Sequence, residues 1–62
     1  MKYRDLAALL RRAGFSARQG REDHEVWTRG PHRVVITQTR EISPGLVRTA
    51  LKAIEAASEE DR

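Results

Sequence analysis

The apolar residues change their spacing twice along the chain, and that double change limits the possible folds more than any other feature. Over residues 1–13, Tyr3, Leu6, Ala7, Leu10 and Ala13 recur at intervals of three and four, with Leu9 widening the stripe. Lys2, Arg4, Asp5, Arg11 and Arg12 take the other side. That is the spacing of an amphipathic helix. Over residues 15–37 the period falls to two. From Ser43 onward it returns to helical spacing, with Val47, Ala50, Leu51 and Ile54 as the stripe to be buried, Leu46 beside it, and Arg48, Lys52 and Glu55 facing out.

The punctuation agrees with these periods. Arg11 and Arg12 oppose the negative end of the first helix dipole. Gly14 fits the left-handed position just past a helix end, with Phe15 as the apolar residue that folds back in such caps. Three strands are predicted over residues 15–19, 23–29 and 33–37, the last carrying Val34-Val35-Ile36. Gln19-Gly20-Arg21-Glu22 and Gly30-Pro31 supply two short connections, which implies an antiparallel meander. Residues 38–42 read as a polar loop. Ser43 as N-cap and Pro44 at the first helical position open the second helix. Two amphipathic helices must bury their stripes against one face of the sheet. The expected fold is α+β, a two-layer α-β-β-β-α sandwich with both helices on one face of a three-stranded antiparallel sheet. A single domain spans residues 1–57, and the acidic run 58–62 has nothing to bury and is expected to fray.

At 62 residues without a cysteine, the chain has a small core and no disulfide or thiolate metal site to support it. Two histidines make a poor zinc set, and neither a metal nor a cofactor is expected. A well-idealised fold, an oligomer or a protein partner is the expected source of stability. No apolar run approaches the ~18 residues of a membrane span, and the absence of cysteine fits a cytoplasmic setting. Residues 1–54 carry eleven Lys/Arg against five Asp/Glu, whereas residues 55–62 carry four acids and one base. Ten of the twelve bases are arginine, the residue suited to bidentate phosphate contacts. A basic body of this kind points to a polyanionic partner.

His24 is the candidate for chemistry. An imidazole takes and gives protons near neutral pH, and RNA cleavage requires a base for the 2′-hydroxyl, an acid for the leaving oxygen and cations for the phosphate charge. Composition alone favours a strand-end histidine of no special role. Asp23 or Glu25 is a candidate to orient the ring, although neighbours on a strand point to opposite faces. His32, beside Gly30-Pro31, lies at the far end of the second strand and reads as a surface turn residue. Trp27 reads as the structural anchor. If it faces the helices, alternation puts His24 and Val26 on the open side. Arg18, Arg21, Arg29, Arg33 and Arg40 flank the strands and are the candidate RNA-binding residues.

Four stretches taken together resemble the HicA (YcfA-like) family of toxin ribonucleases. They are the helix ending Arg12-Ala13-Gly14-Phe15, the block Asp23-His24-Glu25-Val26-Trp27, the strand Val34-Val35-Ile36, and the block Ile42-Ser43-Pro44-Gly45-Leu46-Val47-Arg48. The resemblance covers residues 2–54. It implies a double-stranded-RNA-binding-domain-like fold, metal-independent endonucleolytic cleavage of messenger RNA with His24 as general acid/base, and a HicB-like antitoxin that covers the site. The chain departs from the family pattern at Glu22, where a glycine is usual, and at Thr37-Gln38-Thr39, where a proline and a second histidine are frequent. Two further readings keep the same fold: a non-catalytic RNA-binding module and an antitoxin-binding module.

Overall fold

The computed structural model describes residues 1–61. It contains helix α1 (Tyr3–Arg12), strands β1 (Ser16–Gln19), β2 (His24–Arg29) and β3 (His32–Thr37), and helix α2 (Pro44–Glu59). The sheet is antiparallel in the order β1-β2-β3. The α-β-β-β-α order and the α+β class are therefore those the residue periods imply.

The first helix ends as its sequence demands. Gly14 has φ +88. The Gly14 N–H donates to Arg11 O and the Phe15 N–H to Leu10 O, each at 3.0 Å. This pair of reversed bonds is the Schellman arrangement, and Phe15 buries itself in the same cluster as Leu10. At the start of α2, Ser43 Oγ accepts from the Leu46 N–H, and Pro44 occupies the first helical position.

The core lies between the helices and one face of the sheet. Trp27, Val34 and Ile36 point into it and meet Leu6, Ala7 and Leu10 of α1 and Ala50 and Ala57 of α2. Trp27 has no exposed surface, and the Arg11 guanidinium lies 5.3 Å from its ring centroid. That cation–π contact places the arginine stem over the edge of the core. β1 is exposed along its whole length, because the helices cover β2 and β3 and leave the first strand overhanging.

Four details depart from the periods. α1 begins at Tyr3 rather than Met1, because Lys2 pairs with Glu41 and the Ile42 N–H donates to Met1 O at 2.8 Å. Ile42, expected in a polar loop, is 3% exposed and belongs to the core. Leu51 is 42% exposed instead of buried. Ala50 and Ala57 centre the contact face of α2, with Leu46, Val47, Ala53 and Ile54 beside them, and Leu51 stands about 100° around the helix from Ala50, outside that face. Finally, α2 continues through Glu59, past the end of the apolar pattern. Asp61 pairs with Arg29 at 2.5 Å and Glu60 lies 2.9 Å from His32 Nε2, so these two acids stand against the β2–β3 hairpin. Arg62, the last residue of that segment, lies outside the described residues.

A half-buried carboxylate joins three parts of the fold. Glu25 accepts hydrogen bonds from the Tyr3 hydroxyl, from Trp27 Nε1 at 2.8 Å and from Gln38 Nε2 at 2.9 Å. Burial, and then the bond to Glu25, hold the Tyr3 phenol above its ordinary pKa of 10.0. The folded state thus favours the neutral phenol, and its contribution is complete below pH 10 and lost as pH rises toward the folded-state value. Unfolding free energy measured from pH 9 to pH 11 is expected to fall in the parent chain and to fall less in Tyr3→Phe. Equal slopes would exclude this bond as the cause. Trp27→Ala is expected to cost ~3–5 kcal/mol, comparable to the whole stability of about 3–5 kcal/mol that a core this small supplies. Urea titration followed by circular dichroism should find that variant largely unfolded without denaturant, and an unchanged midpoint would contradict the anchoring role.

Candidate active site

Pleating gives the sheet a second face, away from the helices, and register fixes what stands on it. Arg18 pairs with Val26 and Val26 with Val35; Ser16 pairs with Thr28 and Thr28 with Arg33; His24 pairs with Thr37. Directly opposed residues share a face. Since Trp27 is inside, His24, Val26 and Thr28 are on the open side, as alternation requires.

On that face, Arg18, Arg21, His24 and Arg33 surround a shallow concavity of about 390 Å³ floored by Val26 and Val35. The β1–β2 turn closes one end. The Gly20 N–H donates to His24 O at 2.9 Å, and a Cβ on Gly20 would stand 3.2 Å from that oxygen, so a larger residue would need the turn to give by a few tenths of an ångström. Among the described residues, Arg18, Arg21 and Arg33 make no ion pair, and their charge is open to a ligand.

The His24 side chain is 47% exposed. Its Nδ1 lies 3.1 Å from Arg21 O. A carbonyl oxygen only accepts, so in this contact Nδ1 carries the proton and the neutral ring presents Nε2 as the basic nitrogen. The Asp23 carboxylate is 3.9 Å from Nδ1, exposed, and worth little as a pair. Of the two acids named as candidates to orient the ring, Glu25 faces the opposite side and serves Tyr3, Trp27 and Gln38. The backbone carbonyl of Arg21 orients the ring in its place, a contact that residue identity does not encode.

Two of the candidate arginines stand elsewhere. Arg29 faces the helix side, where Nη1 donates to Ala13 O at 3.1 Å and Nη2 to Asp61. Arg40 lies beyond the end of β3, with Lys2 and Arg4. His32 is opposite Arg29 at the far end of the hairpin, five residues along β2 from His24 or roughly 17 Å, and it does not join the site. Its Nε2 lies close to Glu60 but off the line of a hydrogen bond. Glu22, Asp23 and His24 bring one possible ligand atom each within 4.8 Å of one another. All three are exposed and solvated, with no buried lone pair that calls for a cation.

With this geometry established, the comparison with known families is decisive for kinship. The model of the HicA toxin of bacterial toxin–antitoxin systems matches residues 3–56. The chain belongs to the HicA toxin family. No curated protein and no solved structure gives a significant match. Family membership makes the chain a toxin-type component for which an antitoxin partner is implied. Among the described residues, no helix is long and apolar enough to cross a membrane.

The turn before His24 has a physical signature of strain. Glu22 adopts φ +52, the left-handed region that side chains other than glycine enter at a cost. Glu22→Gly is expected to relieve that strain and stabilise the fold by roughly 0.5–1 kcal/mol after the entropy of glycine is counted. A shift of the urea midpoint to higher concentration checks this, and a shift to lower concentration would show that the turn is not strained.

Proposed function

We propose that this HicA-family chain is an endoribonuclease that cleaves messenger RNA without a metal ion, with His24 as general acid/base, and that a HicB-like antitoxin silences it by covering the open face of the sheet. One observation carries the reading. The exposed imidazole shares a concavity with Arg18, Arg21 and Arg33, on the face that the helices leave uncovered.

The chemistry follows from those groups. His24 Nε2 takes the proton of the ribose 2′-hydroxyl, and the resulting oxygen attacks the adjacent phosphorus. The P–O5′ bond breaks, and the proton returns to the departing 5′-oxygen from the imidazolium or through water. Arg18, Arg21 and Arg33 hold the phosphate oxygens, where negative charge gathers in the transition state. The aliphatic floor of Val26 and Val35 offers an apolar surface to a sugar or base. His32 is too distant to act as a second acid, so one imidazole serves both proton transfers. The carboxylate of Glu22, close to His24, opposes phosphate binding and reduces affinity.

Cleavage of a long single-stranded RNA in the presence of a chelator tests this directly. His24→Ala is expected to lower the rate by about 10²–10⁴-fold, the usual worth of a positioned acid/base, while RNA binding persists through the arginines. Equal cleavage by both proteins would remove His24 from the mechanism. Salt-dependent binding with no cleavage by the parent chain would select the non-catalytic RNA-binding reading instead.

A further inference from the structure

A second group of cations stands where the chain enters its first helix. Lys2, Arg4 and Arg40, with Tyr3 and Thr39, line a depression of about 250 Å³ separate from the concavity around His24. All three bases are exposed, and among the described residues none is ion-paired. The nearby acids do not compensate them: Glu41 is engaged by the Met1 ammonium at 3.5 Å, and Asp5 does not line the depression. Lys2 is the N-cap of α1 and supplies no side-chain acceptor, so the positive end of the helix adds to the same field.

The backbone fixes this group in place. The Tyr3 N–H donates to Arg40 O at 3.0 Å, and Lys2 pairs with Glu41. Tyr3 is anchored again through its hydroxyl to Glu25. Three like charges held together by the fold repel one another unless an anion occupies the space between them. A hollow of about 250 Å³ rimmed by three cations suits a compact phosphate better than the broad surface of an acidic protein.

Its place relative to His24 identifies the occupant. His24 is opposite Thr37 in the sheet, a Cα separation of about 5 Å. Arg40 follows Thr37 by three residues, a span of at most about 11 Å. One strand of RNA can therefore touch both places. We propose that Lys2, Arg4 and Arg40 form a second phosphodiester-binding site, which holds the backbone of a single RNA strand a few nucleotides away from the bond that His24 faces. This rests on the nuclease reading and adds to it a direction for the strand: from the open face, around the sheet end that carries His24, to the N-terminus of α1.

The test compares two RNAs on a His24→Ala background, which prevents cleavage. One is a tetranucleotide, long enough for the His24 concavity, and the other a dodecanucleotide that reaches the second site. Dissociation constants are measured against salt for this protein and for the same protein carrying Lys2→Gln, Arg4→Gln and Arg40→Gln. Single strands release counterions with a slope of about 0.7 per phosphate neutralised, so the triple substitution is expected to reduce the dodecanucleotide slope by about 2. The tetranucleotide should bind both proteins alike. Unchanged slopes with RNA still bound overturn the second site and leave the nuclease reading standing, and this includes the case in which only antitoxin binding is lost. Equal losses for both RNAs also overturn it, because the cations would then act on the whole field and not at one place. Failure of the unsubstituted background to bind either RNA overturns both readings together.

Discussion

A β-strand has two faces and no third option, and in β2 this one constraint couples the core to the chemistry. Trp27 fills the space between the sheet and the helices, where it is fully buried. Once it is inside, Glu25 and Arg29 must also face the helix side, and His24, Val26 and Thr28 must face away. A slip of one residue would expose the tryptophan and bury the imidazole together. The penalty for misplacing the largest side chain in the chain thus also holds His24 in register, and no separate interaction is required to keep it at the surface.

The distribution of charge follows the same division. At the far end of the hairpin, Arg29 is answered by Asp61 and Ala13 O, and His32 lies beside Glu60. On the open face, Arg18, Arg21 and Arg33 have no ion pair among the described residues. Exposed pairs of this kind contribute little to stability. Their larger effect is on the field, because the far end of the hairpin is partly neutralised while the arginines beside His24 keep their charge open.

Much of this architecture was legible in local residue patterns. Gly14 after Arg11-Arg12 and Ser43 before Pro44 are signals read within a single turn of chain, and both caps form as those residues require. Trp27 and His24 were separable by parity alone. What the sequence concealed depends on contacts between distant segments. Ile42 is buried because residues 1–2 lie along residues 41–42, a pairing that no period announces. Leu51 lies at one edge of the α2 stripe, and the packing of the helix, a tertiary quantity, decides which edge is covered. Glu25 looked like a partner for its neighbour His24, yet its partners are Tyr3, 22 residues earlier, and Gln38, 13 residues later. The acidic end looked unemployed because its counter-ions lie about thirty residues upstream, at the tip of a hairpin. Arg18, Arg21 and Arg33 could not be told from Arg29 and Arg40 until register separated the two faces.

The short pairing of Lys2 with Glu41 has a consequence for how the molecule opens. The concavity around His24 is lined entirely from within residues 18–35, by strands joined through tight turns. The cationic group of Lys2, Arg4 and Arg40 exists only while two segments nearly forty residues apart remain in contact. Chain ends held by few bonds are the first parts of a native protein to detach. Separation of residues 2 and 41 would take Lys2 away from Arg4 and Arg40. The two cationic groups thus differ in reach: one is gathered by neighbouring strands, the other by a contact between distant segments.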